Sequence, residues 1–125
     1  MTELTIKTTK AKEIIDITDR VQELLSGKES SINLFLLHTT AALTTADLDP
    51  GGTDQDYLDA FEKIVPKLAY RHPHNPEHMP DHILSSMIGT SLTLPVKDGK
   101  LLLGTWQRVV LIEFDGPRER KILIS

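Results

Sequence analysis

The sequence predicts an α+β fold in which a mostly antiparallel β-sheet forms a two-layer sandwich with two to three helices packed outside it. Three observations lead to this prediction. Strand-like patterns occur near both ends of the chain, helical periodicity lies between them at residues 54–65 and 81–88, and Asp98 with Gly99 is a strong hairpin signal. A length of 125 residues suits one domain, which we assign to residues 1–125.

The start of the chain predicts two strands and a short helix. Residues 4–9 alternate apolar and polar side chains with the period of a half-buried strand, and residues 13–18 repeat that pattern. Residues 10–12 form the turn between the two strands. A helix over residues 20–26 follows, and Gly27 ends it in a left-handed conformation.

Two later segments are almost entirely apolar. Residues 32–37 and 109–112 therefore predict strands that other layers cover on both faces. The first segment runs into His38, and the second runs into Glu113 and Asp115. Charged groups at the end of a buried strand must be paired or must face a cavity. We therefore expect either ion pairs or a site at these strand ends.

The middle of the chain contains two predicted helices joined by a proline-rich loop. Thr53 caps the first helix, and Pro66 ends it. Residues 70–80 contain three prolines and form the loop. The second helix covers residues 81–88 and ends at Gly89. Two more strands complete the pattern, at residues 91–96 and 121–124.

Composition and charge exclude several classes of protein. The formal net charge is −4 and the isoelectric point is about 5.7, so no basic surface points to nucleic acid as a partner. The chain has no apolar run of roughly 18 residues, so no membrane span is predicted. Its N-terminus lacks the pattern of a signal peptide. Cysteine is absent, which excludes disulfides and thiolate ligands. We expect a soluble cytoplasmic protein.

Five histidines are the compositional anomaly, and four of them fall within residues 71–82. His82 lies opposite the apolar side of its predicted helix, so it either meets solvent or lines a site. His38, at the mouth of a buried strand, is either a hydrogen-bonded core residue or a site residue. His74 and His78 are expected to be solvated loop residues. Their spacing of four would stack metal ligands on a helix, but the prolines of this loop forbid one.

Seven features in a fixed order connect the chain to a known family. They are residues 38–41, Asp56, residues 70–72, His82 followed by residues 86–89, Gly99, residues 104–107 and residues 113–120. Together they resemble the YjbQ family, also called the secondary thiamine-phosphate synthase family, over nearly the whole chain. The resemblance implies a compact α+β subunit that assembles as a homotrimer with pockets between subunits. It also implies a histidine-centred site for a metal or an anion, and a weak thiamine-phosphate synthase activity.

Two segments depart from the family pattern. Similar proteins usually have an Asn-Glu pair after the histidine-threonine stretch, where residues 44–47 of this chain read Thr-Thr-Ala-Asp. Either Asp47 replaces the acid or the acid is lost. Similar proteins also tend to place Asn and Ala shortly before the helix histidine, where residues 78–81 of this chain read His-Met-Pro-Asp.

From the family pattern we assign His38, His72 and His82 to one site, within a subunit or between subunits. There they hold a divalent metal, with zinc as the first choice, or act on a phosphate-bearing ligand. His38, His82 and Asp56 are the predicted catalytic residues, and the role of Asp56 is to orient a histidine. The alternatives are that the histidines only satisfy hydrogen bonds and that Asp56 lies on a solvated helix face.

Arg118 and Arg120 are predicted to bind the substrate, because planar guanidinium groups suit phosphate or pyrophosphate. The alternative is that Glu113 and Asp115 pair with both arginines and fix the corner after the strand.

Thr40 and Gln107 complete the predicted substrate contacts. For Gln107 the alternative is that its side chain satisfies backbone groups. Trp106 is expected in the core or in a subunit interface rather than as a stacking platform.

The predicted function is that of a small enzyme, similar to the secondary thiamine-phosphate synthases, acting on a phosphorylated small molecule. Such an enzyme joins a pyrimidine pyrophosphate to a thiazole phosphate, for which arginines and a metal are both apt. The rivals are a non-catalytic trimer that binds a metal or a metabolite, and a trimeric scaffold whose polar cluster joins subunits. The chain lacks a glycine-rich phosphate loop and a Gly-x-Ser-x-Gly elbow.

Overall fold

The computed structural model describes residues 1–125, which form two antiparallel sheets, three α-helices and one 3-10 turn. Across the larger sheet the strands follow the order β1 (Thr2–Lys7), β8 (Glu119–Ile124), β3 (Ser31–Leu36), β5 (Ser91–Lys97) and β6 (Lys100–Leu101). Across the smaller sheet the order is β2 (Glu13–Asp16), β7 (Arg108–Glu113) and β4 (Ala41–Ala46). The predicted α+β class with a mostly antiparallel sheet is confirmed.

Three helices accompany the sheets: α1 (Thr18–Gln22), α2 (Thr53–Ile64) and α3 (Met79–Ile88). Helix α1 is shorter than the helix predicted over residues 20–26 and begins before it. Gly52, with a φ of +105°, precedes α2 in place of the predicted cap, so Thr53 is already helical. A 3-10 turn at Pro76–His78 leads into α3, whose first turn contains Pro80, where a missing N–H costs no intrahelical bond. No helix is both long and apolar enough to cross a membrane.

The smaller sheet lies between two apolar clusters. On one side Val109 and Leu111 of β7 pack into the core shared with the larger sheet. On the other side Val110 and Ile112 pack with Leu84 of α3 and partly buried side chains of α2. All four β7 residues are at most 2% exposed, which confirms the prediction of a strand covered on both faces. The molecule therefore has a larger sheet outside, a smaller sheet in the middle, and α2 and α3 beyond it.

The prediction that residues 32–37 are covered on both faces is wrong. Leu34 and Leu36 are buried, but Asn33 and Phe35 of the same strand are exposed, the latter by 48%. The larger sheet is an outer layer, and no helix of this chain packs on its far face. A continuous apolar run therefore does not distinguish an outer strand from a middle one.

Several large apolar side chains lie at the surface. Trp106 is 67% exposed, so the core alternative for this residue is wrong, and its place in a subunit interface stays a prediction. Ile64 of α2 and Met87 of α3 are also exposed.

The segment that joins β7 to β8 packs tightly against the turn after β1. The Gly116 N–H donates to the Ala11 carbonyl at 3.0 Å, and the Thr8 N–H donates to the Arg118 carbonyl at 2.8 Å. A Cβ atom on Gly116 would overlap the Lys10 carbonyl oxygen, so this close approach requires glycine. The packing fixes the corner at which the charged strand ends meet.

Candidate functional site

Three histidine-bearing segments and the start of β8 line one open cleft of about 660 Å³, which we call the histidine cleft. His38 follows β3, His72 lies in the proline-rich loop, and His82 lies in α3. The structure therefore brings these three residues together within one chain. The residues that line the cleft are Leu37, His38, Thr39, Thr40, His72, His82, Asp115, Arg118, Glu119 and Arg120.

A buried ion pair forms the floor of the histidine cleft. Arg120 is 2% exposed and Glu113 is fully buried, and the Arg120 Nε donates to Glu113 Oε1 at 2.9 Å. Arg120 Nη2 donates to the Thr40 hydroxyl at 2.8 Å and also to Glu113. Glu113 accepts a further hydrogen bond from the Thr8 hydroxyl at 2.7 Å. Arg120 therefore forms the ion pair with Glu113 that was the alternative to substrate binding. A contact between Arg120 and a ligand stays a prediction.

Arg118 lies at the rim of the cleft in a more open setting. Its side chain is 54% exposed, its Nε donates to the Asp115 carbonyl at 2.7 Å, and its Nη2 donates to the Asp115 carboxylate at 3.0 Å. The Asp115 side chain is only 18% exposed, so solvent reaches this pair mainly from the guanidinium side. A ligand can therefore approach the guanidinium directly.

Backbone hydrogen bonds decide which ring nitrogen carries the proton in two of the histidines. His38 Nε2 accepts the N–H of Lys121 at 2.8 Å, and His72 Nδ1 accepts the N–H of Asn75 at 3.2 Å. In each neutral ring the other nitrogen is then protonated and is a donor. His82 stacks on His72 with ring centroids 5.0 Å apart and planes 19° apart.

This pattern does not fit a metal centre made of the three histidines. A metal ligand needs a lone pair on the nitrogen that faces the ion, but the second nitrogen of His38 and of His72 bears a proton. Donor N–H groups beside a guanidinium instead suit an oxyanion. The group of potential ligands that does come within 4.8 Å is His78, Asp81 and Asp115.

Other predicted site residues lie outside the histidine cleft. Asp56 is exposed on α2, and Asp47 is exposed after β4. The Gln107 amide accepts the Gly104 N–H at 2.8 Å and donates to the Thr45 hydroxyl at 3.3 Å. The Gln107 side chain thus stabilises its own loop by a hydrogen bond to the backbone, which was the alternative to substrate contact.

Two acids of the cleft were not predicted as site residues. Asp115 was recognised only as a partner for arginine, although it also lines the cleft and lies 3.2 Å from Nδ1 of His78. Glu119 also lines the cleft, from the start of β8 and next to the buried Arg120. The charge pattern at the end of β7 was a signal for Asp115, and no comparable signal existed for Glu119.

His38 is held in its neutral form. Burial lowers the pKa of His38 below its ordinary value of 6.5, and the positive charge of Arg120 lowers it further against a smaller opposing effect of Glu113. The neutral ring keeps the lone pair that accepts the Lys121 N–H. His38 is therefore an N–H donor toward the cleft at neutral pH.

We expect His38 to reduce the stability of the protein in mild acid. The unfolded ring protonates near pH 6.5 and the folded ring only at lower pH, so the unfolded state binds more protons between these values. The contribution is fully present above the unfolded pKa and is lost as the pH falls through the folded pKa. The melting temperature, measured from about pH 8 to about pH 5, should fall more steeply for the wild type than for His38→Gln. Parallel curves would contradict this assignment.

The fold and the cleft define a small α+β protein with a polar cleft lined by histidine, threonine and arginine. A profile of the family described as UPF0047 protein YjbQ-like matches residues 2–125, and the chain belongs to this family. The resemblance inferred from the sequence is confirmed.

Individual relatives match along almost their entire length. A UPF0047 protein of Archaeoglobus fulgidus is 40% identical over 124 aligned residues, and the match covers 98% of each chain. The UPF0047 protein YugU of Bacillus subtilis is 38% identical over 125 residues, covering 98% of this chain and 95% of the relative. The crystal structure of an uncharacterized YjbQ/UPF0047 protein of Clostridium acetobutylicum is similar with a TM-score of 0.86 and 35% identity, covering 100% of this chain and 98% of that one.

Proposed function

We propose that the histidine cleft binds the phosphate or pyrophosphate group of a small molecule, and that the protein is a transferase resembling the secondary thiamine-phosphate synthases. The observation that supports this most is the shared cleft of His38, His72 and Arg118. Two of these residues have a ring nitrogen that accepts a backbone N–H, which leaves the other ring nitrogen as a donor, and the third presents a guanidinium fork at an exposed rim. Donors of this kind bind phosphate oxygens with charge-assisted hydrogen bonds.

The charges around the cleft allow an anion to enter. Glu113 neutralises Arg120 from below, so the floor has no net charge. Asp115 neutralises Arg118 at the rim, but the guanidinium of this pair faces solvent. A bound phosphate would replace the Asp115 carboxylate on the guanidinium of Arg118.

The same groups suit a reaction that releases pyrophosphate. In this reaction the ring nitrogen of the thiazole phosphate attacks the methylene carbon of the pyrimidine pyrophosphate, so a C–N bond forms while the C–O bond to pyrophosphate breaks. The bonding electrons leave on the pyrophosphate oxygen, and fixed donors stabilise the negative charge that develops there. We assign the binding of that oxyanion to His38, His72 and Arg118. His82 lines the same cleft without a hydrogen bond to the protein, and we assign to it the donation of a proton to the pyrophosphate oxygen that leaves as the C–O bond breaks.

Replacing Arg118 by alanine should weaken the binding of inorganic pyrophosphate by about tenfold or more, because a hydrogen bond to a charged group contributes about 1.5–3 kcal/mol. Isothermal titration calorimetry on the full chain measures this loss. Arg20→Ala is the matched control, since Arg20 is an exposed arginine that bonds only the Thr5 carbonyl, at 3.1 Å. Equal affinities of Arg118→Ala and wild type would contradict the proposed binding site.

A turnover assay separates an enzyme from a binding protein. With the pyrimidine pyrophosphate and the thiazole phosphate as substrates, His82→Ala should abolish product formation while pyrophosphate still binds. Pyrophosphate binding by the wild type without turnover would favour the non-catalytic metabolite-binding alternative.

We also propose that the chain acts in the cytoplasm as a homotrimer. To the subunit interfaces we assign four of the large apolar side chains that are exposed on the single chain, because exposed apolar patches mark interaction surfaces. They are Phe35, Leu37, Leu102 and Trp106. Leu37 also lines the histidine cleft, so a neighbouring subunit seated there would narrow it. Light scattering should give three times the 14.0 kDa of one chain, and a monomer would contradict the assembly.

A further inference from the structure

We propose that His78, Asp81 and Asp115 bind a divalent transition-metal cation at the rim of the histidine cleft. Each of the three side chains offers one ligand atom, and these atoms all lie within 4.8 Å of one another. Imidazole nitrogens and carboxylate oxygens are both ligands of Zn²⁺, and three protein ligands leave one position of a tetrahedral ion open. The site goes beyond the proposed function, because none of the residues assigned to phosphate binding or proton transfer is a ligand.

Short and well-defined segments hold the three ligands in place. His78 ends the 3-10 turn, and Asp81 lies in the first turn of α3, where it is 8% exposed. Asp115 follows β7, and its N–H donates to the Glu113 carboxylate at 3.2 Å. Nδ1 of His78 lies 3.2 Å from Oδ2 of Asp115. The backbone thus brings the donors together before any ion binds.

A second observation points to a cation at this place. The Lys12 ammonium donates to Asp81 Oδ1 at 2.6 Å and to the Phe114 carbonyl oxygen. A carboxylate and a carbonyl that converge on one positive group already form a cradle for a cation. The Lys12 side chain is 44% exposed, so it can move into solvent when a metal ion takes its place.

The balance of charges favours this exchange. The carboxylates of Asp81 and Asp115 are paired with the two positive charges of Lys12 and Arg118. A divalent cation supplies the same two positive charges at one point between the carboxylates. Its binding releases both long side chains, and the entropy that they regain contributes to the exchange.

The donor set indicates the class of metal. An imidazole with carboxylates and no thiolate suits Zn²⁺ and neighbouring divalent transition metals. Ca²⁺ and Mg²⁺ prefer sites made of oxygen alone. Zn²⁺ is therefore the probe for the test.

Zn²⁺ is titrated into the full chain by calorimetry in a buffer without phosphate. We expect one strong site per chain. His78→Asn and Asp81→Asn should each weaken Zn²⁺ binding by more than about tenfold, the loss that follows even from disturbing a supporting residue. Lys12→Met should strengthen binding, because it removes the ammonium that competes for Asp81.

Matched controls use the same substitutions away from the site. His74→Asn and Asp54→Asn replace exposed side chains and should change the Zn²⁺ affinity by less than about twofold. If Asp81→Asn fails to fold, the opposite expected effects of His78→Asn and Lys12→Met still decide the question.

Three results would overturn the proposal. The first is the absence of Zn²⁺ binding by the wild type. The second is an unchanged or weaker affinity in Lys12→Met. The third is a loss of binding in His72→Asn and His82→Asn together with full binding in His78→Asn, which would place the ion among the cleft histidines. None of these measurements uses phosphate, so they stand apart from the test of the proposed function.

Discussion

Replacing Arg120 by methionine is expected to lower the free energy of unfolding by about 3–5 kcal/mol, the usual cost of leaving one partner of a buried ion pair without the other. Glu113 is fully buried and depends on two donors of Arg120 for its charge balance. The same arginine also donates to the carbonyl and the hydroxyl of Thr40. The variant therefore loses both the ion pair and the anchor of the segment after β3.

Denaturant unfolding of the full chain measures this loss. Arg20→Met is the matched control, because this exposed arginine should change stability by no more than about 0.5 kcal/mol. The double variant Glu113→Gln with Arg120→Met should cost at least about 1 kcal/mol less than the sum of the single variants, since it leaves no buried charge. Strict additivity, or a cost below about 1 kcal/mol for Arg120→Met, would refute the role assigned to the pair.

Gly116→Ala is expected to destabilise the protein by about 3 kcal/mol or more, at the upper end of the costs of overpacking. The added methyl group would overlap the Lys10 carbonyl oxygen and would lie 2.9 Å from both Glu113 Cγ and the Thr8 hydroxyl oxygen. The carbonyl belongs to the backbone and cannot rotate away, as the end of a flexible side chain would.

Thermal and denaturant unfolding of Gly104→Ala provide the comparison. A Cβ at that position meets the Gln107 side chain at 3.0 Å, and this exposed amide can move aside. Gly104→Ala should therefore cost less than about 1 kcal/mol. Similar losses in both variants would show that the tight corner at Gly116 is not what limits stability.

Local patterns in the sequence predicted the class of fold and most of the elements. Alternation, proline and glycine positions act through the backbone of a few residues, so they can be recognised without the rest of the chain. The apolar runs of β3 and β7 show the limit of this approach. Both runs predict full burial, yet only β7 lies in the middle layer. Which layer a strand joins depends on pairing with distant segments, and no local pattern records it.

Local patterns also predicted some residues of the candidate site, but not the hydrogen bonds and contacts that those residues make. The position of His82 opposite the apolar side of α3 indicated that it leaves the core, and it lines the histidine cleft. The hydrogen bonds of His38 and His72, which decide between an oxyanion and a metal, depend on backbone groups in other segments. His78 was taken for a solvated loop residue because its neighbour Asp115 is far along the chain. Asp56 met the pattern of the family but lies on a helix outside the cleft.

The order of strands in the larger sheet has a consequence for biosynthesis. β8 pairs with β1 on one side and with β3 on the other, so β1 is synthesised well before the strand with which it pairs. Until β8 emerges, β1 has no partner and β3 keeps an open edge, which favours association with other nascent chains. Contacts between such distant segments also slow folding. Because Arg120 belongs to β8, the floor of the cleft forms only after translation of nearly the whole domain.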